Sequence, residues 1–213
     1  MSSRFYLSHA FDANAAQREL AEFKSLLDAN QVLKEREHVL KSFDKWPNLC
    51  LLIGEYHPRI READLIKREF EIANYFRADL AVRQDSNSDV CLVEFEPAGE
   101  NDIFKLSDPK RIPPWSNAME KGFSQIVDWA WAIDNHRDQA EFKDAFGAKR
   151  PKVTAVLVVG RDASLSDHVS QDRWEWRSEW AKFPNISAIF LQTYDELYRA
   201  LDVRLKLRLG RMK

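Results

Sequence analysis

The sequence predicts an α/β protein: a mixed sheet flanked by helices, with a helical extension at the N-terminus. Two observations carry this expectation. Short apolar runs of strand length recur through the chain, and between them lie longer segments with helical apolar spacing. Their order is helices, three strands, helix, strand, helix, strand, helix, which a mixed sheet accommodates. The chain has 213 residues, with seven Trp and thirteen Phe against only six Gly and eight Pro, enough apolar mass for one packed core.

Residues 15–28 place Leu20, Phe23 and Leu27 on one stripe, so a helix is expected there. A second amphipathic helix is expected over 31–46, with Leu33, Val39, Leu40, Phe43 and Trp46 inward and Pro47 marking its end. Leu49–Ile53, followed by Gly54, reads either as a strand or as the end of a helical hairpin. The stretch 65–82 does not settle its own period. Its β-branched and aromatic content favours two extended pieces, 65–73 and 76–83. The cluster QDSNSD at 84–89 is a turn signal, and VCLVEFE at 90–96 is the clearest strand of the first half. Together these three pieces form an antiparallel meander.

A long loop follows from Pro97 to Pro114, a length often associated with function. Residues 117–135 are a strong helix through Met119, Phe123, Ile126, Val127, Ala130 and Ile133. Lys152–Val159 reads as a buried strand and Asp172–Phe183 as a Trp-rich helix. Ile186–Leu191 is a further strand, and a closing helix spans Asp195–Leu205 with Thr193 as its cap.

Composition narrows the function classes. Net charge is −2, so the chain as a whole does not attract nucleic acid electrostatically. Six basic residues from Arg199 to Lys213 face one acid, Asp202; they form either a phosphate-holding tail or a solvated helix end. Cys50 and Cys91 lie in apolar runs and read as buried thiols rather than a disulfide framework. No apolar stretch reaches membrane-spanning length and the start lacks a signal-peptide pattern, so a cytoplasmic protein is expected.

The chemistry concentrates at the end of the 90–96 run. Glu94 and Glu96 extend the apolar row of Val90 and Leu92 on one face of the strand. Burying two like charges is costly without a cation or a basic partner between them. Asp79 repeats the pattern at the start of the adjoining apolar run. If the strands pair through the 84–89 turn, three carboxylates converge at one edge, a hard oxygen site suited to Mg²⁺ or Mn²⁺. The alternative is a set of structural ion pairs with Arg77, Lys105 or Lys121. Lys121, Gln125 and Asp128 share one polar stripe of the 117–135 helix, either turned towards the acids or simply solvated.

Asp79, then Glu94-Phe95-Glu96, then Gln125 ahead of Trp129, resembles the PD-(D/E)XK nuclease pattern. More narrowly, residues 33–200 resemble the nuclease domain of Shedu anti-phage defence proteins, the DUF4263 family. The resemblance is carried by Glu37, Leu40 and Phe43 leading to Pro47, by Phe76-Arg77-Ala78-Asp79, and by Val93-Glu94-Phe95-Glu96-Pro97. Gln125-Ile126-Val127-Asp128-Trp129, Val158-Val159-Gly160-Arg161 and Thr193-Tyr194-Asp195-Glu196-Leu197 complete it. It implies a restriction-endonuclease-like core over 31–205, after a helical extension at 1–30 and before a basic tail at 206–213. It also implies a Mg²⁺-dependent DNA endonuclease that assembles as a homo-oligomer. Asp79, Glu94 and the Phe95 carbonyl would bind metal. Gln125 would orient substrate or water, and Glu37, or in second place Glu35, would be the first-helix acid. Glu96 stands where the usual motif has lysine, so it would bind metal or act as a base, with Lys105 or Lys121 supplying the cation.

Other signatures are weaker. The five histidines show no metal-ligand pairing, and there is no nucleophile elbow or phosphate-binding loop. Arg173-Trp174-Glu175-Trp176-Arg177 reads either as a base-stacking segment or as helix packing through Trp176 and Trp180. A nuclease fold kept only to bind DNA or a partner protein, and a purely structural subunit, are the readings from other classes.

Overall fold

The computed structural model describes residues 6–106 and 112–211, apart from the side chains of Trp180 and Arg211. Among these residues the elements are β1 (Leu7–Ser8), α1 (Ala13–Ala29), a π-helical turn (Glu35–Leu40) running into α2 (Lys41–Phe43), and α3 (Pro47–Gly54). Then come β2 (Leu65–Ile72), β3 (Phe76–Arg83), β4 (Val90–Phe95), α4 (Asn117–His136), α5 (Ala140–Phe146) and β5 (Val153–Val158). A 3₁₀ turn (Asp162–Leu165), α6 (His168–Trp180), β6 (Ile186–Gln192) and α7 (Tyr194–Arg211) complete the order.

The strands form one sheet in the order β1-β2-β3-β4-β5-β6. The first four are antiparallel neighbours, and β4, β5 and β6 run parallel. The expected α/β class and the meander are therefore present. Hairpins join β2 to β3 and β3 to β4, the helical segment from α1 to α3 separates β1 from β2, and each parallel step has a helical crossover, supplied by α4 with α5 and then by α6.

Helices cover both faces, so β4 and β5 are buried on both sides and read as unbroken apolar runs. On one face Cys91, Val93 and Phe95 pack with Phe23 of α1, Leu49 of α3 and Leu197 of α7. On the other, Val90 and Leu92 pack with Met119, Ile126 and Trp129 of α4 and with α5. Both cysteines are buried free thiols, with desolvation pushing each pKa up to about 12. No helix among the described residues is long and apolar enough to cross a membrane.

Several boundaries follow from caps. Asp12 accepts from the Asn14 and Ala15 amides and starts α1. Ser116 Oγ accepts from the Met119 amide at 2.9 Å and starts α4. Thr193 and Glu196 bond each other's amides reciprocally at the start of α7, a capping box.

The expected 31–46 helix is corrected. Leu33 is extended and bridges Ala98, and the helical part begins only at Glu35, as a π turn. Pro47 does not end a helix but opens one, at the first position of α3, where its missing N–H costs nothing. The 49–53 segment is accordingly helical. The Trp-rich helix starts earlier than expected, at His168, capped by Asp167. It buries Trp174, at 5% exposure, while Trp176 is 64% exposed; the expected pairing with Trp180 lies outside the described residues. The short α5 and β1 had no expectation attached to them.

The basic residues of α7 are largely tied within the molecule. Arg199 pairs with Asp162, Lys206 with Asp202 and Arg208 with Glu55, and Arg204 lies 3.9 Å from the Tyr56 ring centroid. The last residues of the basic stretch, read as either a phosphate-holding tail or a solvated helix end, lie outside the described residues.

Candidate active site

The C-terminal end of β4 brings the acids together. The β3–β4 backbone ladder runs to Leu80↔Val93. Beyond it Asp79 substitutes its side chain for the ladder, with Oδ2 accepting from the Phe95 amide at 2.8 Å. The β2–β3 ladder breaks at the same level, skipping from Arg68↔Leu80 to Phe70↔Ala78, and Glu69 in the gap has φ 51°. A left-handed non-glycine residue is strained. Past this break the apolar residues change face: Leu80 lies in the α1/α3/α7 core and Ala78 in the α4 core. Asp79 occupies the hinge of that twist.

Glu94 and Glu96 continue the α4-facing row of β4 and are 4% and 1% exposed. Gly122 lets α4 come close enough to meet them: a Cβ there would lie 2.5 Å from Leu157 Cδ1 and 2.9 Å from Glu96 Cγ. Helix α4 thereby delivers Lys121, whose Nζ lies 2.9 Å from Glu96 Oε1 and 3.4 Å from Glu35 Oε2. One turn on, Gln125 Oε1 is buried with no hydrogen-bond partner among the described residues, and so is Glu94 Oε2. The Glu96 carbonyl accepts from Tyr194 Oη at 2.7 Å, pinning the strand end to α7.

The electrostatics follow from this burial. Desolvation, then repulsion from Asp79 and Glu96, pushes the Glu94 carboxyl up to about 10. Burial lifts Asp79 to about 6 despite the Phe95 amide, and lifts Glu96 to about 7 despite Lys121. Desolvation works against charge on Lys121, but its bonds to Glu96 and Glu35 outweigh it and hold its pKa above the ordinary value. Among the described residues the site sets four carboxyl groups, those of Glu35, Asp79, Glu94 and Glu96, against one ammonium, that of Lys121.

Of the residues expected at the site, the structure joins Asp79, Glu94, Glu96 and Lys121 in one cluster, with Gln125 a turn along α4 from Lys121. Phe95 contributes its amide to Asp79, and its ring stacks on Phe43 at 4.6 Å. Glu37 is not brought in: it is exposed and pairs with Lys34. Glu35 takes that place. The Leu33–Ala98 bridge is antiparallel, so two residues after Leu33 and two before Ala98 the register sets Glu35 beside Glu96. The sequence alone ranks Glu35 second to Glu37, because a regular helix over 31–46 gives no sign of the extended Leu33 and its bridge to Ala98. The amine comes from Lys121, while Arg77 pairs with Glu69 and Glu71 rather than with Asp79.

No group of three or more His, Cys, Asp or Glu side chains among the described residues is arranged to hold a metal ion. A Mg²⁺ site does not require one. Mg²⁺ keeps several waters and takes one or two carboxylates together with substrate phosphate. The buried, unbonded Glu94 Oε2 and the neighbouring Asp79 fit that demand.

The family model for the Shedu protein SduA, C-terminal, matches residues 21–198, most of the chain. No curated protein matches it.

Proposed function

The chain belongs to the Shedu SduA C-terminal family, which points to anti-phage defence, and from that premise we propose that it is a metal-dependent DNA endonuclease. The observation that carries the reading is the orphaned, buried Glu94 carboxylate oxygen flanked by Asp79, Glu96 and Lys121. Groups so expensive to bury are characteristic of a site built for a charged ligand.

In this reading Asp79 and Glu94 hold a Mg²⁺ or Mn²⁺ ion, with the Phe95 carbonyl as a further ligand. The ion supplies acidification of water and relief of charge on the scissile phosphate. The chain's own residues do the rest. The Asp79–Phe95 bond fixes one carboxylate against the strand that carries the other. Lys121 offers the ammonium that a motif lysine normally provides, reaching the centre from α4 instead of from β4. Glu96, lifted to about 7, sits in the range where a carboxyl can accept a proton at neutral pH. Gln125 offers an unsatisfied amide oxygen to orient water or substrate. Glu35 is a second carboxylate partner of Lys121, at 3.4 Å. The partner is DNA, and self-assembly in the cytoplasm is the expected setting.

The test is incubation of the purified chain with plasmid and with linear DNA, in Mg²⁺, Mn²⁺ and chelator, beside Glu94→Ala. Cutting in metal that falls about a thousandfold in the variant, roughly 4 kcal/mol of barrier, supports the reading. Metal-dependent binding of DNA without cutting by either protein favours a silent nuclease-fold binding module instead.

A further inference from the structure

Among the described residues, three concavities of about 560, 570 and 430 Å³ are lined by none of Asp79, Glu94 and Glu96. One, of about 570 Å³, lies between α4 and α6 and is lined by Trp115, Phe123, Asp172, Arg173, Trp176 and Arg177, with Ala181 at its end. Its walls are unusual in chemistry. Trp115 stacks on Phe104 at 4.5 Å, and the Arg173 guanidinium covers both rings at 4.9 and 4.6 Å. Arg177 lies 4.7 Å from the Trp115 centroid and 4.2 Å from that of Phe123. Trp176, on the same helix, is 64% exposed.

Two guanidiniums on one indole repel each other. Burial and then Arg177 hold the Arg173 guanidinium below its ordinary pKa. Arg177 has Glu120 as an ion-pair partner, whereas Arg173 has no salt bridge among the described residues and donates only to the Pro113 carbonyl. The groove therefore combines flat aromatic and guanidinium surfaces with one guanidinium, that of Arg173, outside any ion pair among the described residues, and the Asp172 carboxylate lines the same groove. An apolar peptide satisfies the first property and not the second; a nucleotide strand satisfies both, with bases stacking and phosphates meeting arginine.

Its position adds to the chemistry. Glu120, which anchors Arg177, immediately precedes Lys121, which pairs with Glu96. The groove and the acidic centre thus flank the first turns of α4. We infer that this Arg173–Trp176–Arg177 groove is a stacking site for unpaired bases of the DNA strand presented to the acidic centre. This rests on the nuclease reading for its substrate, but the groove can be tested without cutting.

The experiment uses the Glu94→Gln chain in chelator, so that binding is read apart from hydrolysis. A labelled oligo(dT) of about 12 nucleotides, within the usual span of single-strand sites, is titrated against a blunt duplex of equal length. Expected results are tighter binding of the single strand, quenching of tryptophan emission, and about tenfold weaker single-strand binding in Trp176→Ala. Trp176→Phe keeps a ring and restores most of the affinity, which a merely structural role would not produce. Arg173→Gln weakens binding and lowers its salt dependence. Equal binding of duplex and single strand, or single-strand affinity unchanged in Trp176→Ala, overturns the inference. Metal-dependent cutting by the unmodified chain is scored separately. Trp176-dependent binding without cutting leaves the groove standing and removes the nuclease reading; cutting without Trp176-dependent binding does the reverse.

Discussion

Glu19 and Glu94 are both buried in this molecule, and in opposite ways. Glu19, at the α1–α3 junction, is 8% exposed, and both its oxygens are used: Oε1 accepts from Asn48 Nδ2 at 2.6 Å and Oε2 from the Leu49 amide at 3.0 Å. It satisfies the first turn of α3, which Pro47 starts without a side-chain cap. Glu94, at the end of β4, is 4% exposed, has one oxygen with no partner, and faces two more carboxylates. Burial lifts the pKa of both. The difference lies in what compensates. A carboxylate whose oxygens are met by donors inside the fold is part of the scaffold. One left unmet is a standing cost that a ligand can offset.

This contrast is broken most severely at Glu19. Glu19→Ala strands the Asn48 amide and the Leu49 N–H, and it is expected to destabilise the protein by about 3 kcal/mol. Urea unfolding checks it, and a loss below about 1 kcal/mol would mean that water replaces the carboxylate.

Glu94→Gln should act in the opposite direction on the metal-free protein, raising stability by about 2 kcal/mol at pH 7 while abolishing cutting. The folded pKa of Glu94, about 10, lies above its ordinary value of 4.5, so the native state holds the extra proton between them. Stability of the unmodified chain therefore falls as pH rises through that window, by at most about 1.4 kcal/mol per unit from this group. The Gln variant lacks that slope. Melting temperatures of both proteins from pH 5 to pH 9 should diverge steadily, and parallel curves would show that Glu94 is not held protonated.

Gly122→Ala tests whether α4 must approach β4 closely. The added methyl meets Leu157 and Glu96, so α4 is displaced and Lys121 with it. We expect roughly tenfold slower cutting, about 1.4 kcal/mol of barrier, with modest destabilisation. The smallest effects separate the two candidate acids of the π turn. Glu35→Gln should slow cutting several-fold by releasing Lys121, and Glu37→Gln should leave the rate within about twofold, since an exposed pair with Lys34 contributes little. Equal effects would refute the assignment of Glu35.

Most of the fold was legible in the chain. The strands of the meander, the apolar run of β5, the stripe of α4 and the turn at 84–89 follow from side-chain period and turn chemistry, which are local properties. Asp79, Glu94 and Glu96 were legible as well, because charges that interrupt apolar strands stand out against their neighbours. Pro47 misled, since a proline before an apolar run suits the end of one helix and the start of the next equally well.

What the sequence by itself determined was thus the layered α/β order and the acids at the end of β4. Only the tertiary structure decided which residues surround those acids. Glu35 and not Glu37 arrives because a bridge between Leu33 and Ala98, far apart in the chain, sets the register and a π turn follows it. Lys121 arrives because Gly122 lets α4 close on the sheet, and Asp79 turns inward at a break marked by the left-handed Glu69. Each of these depends on long-range packing, where contact is set by the approach of separate elements rather than by the period within one.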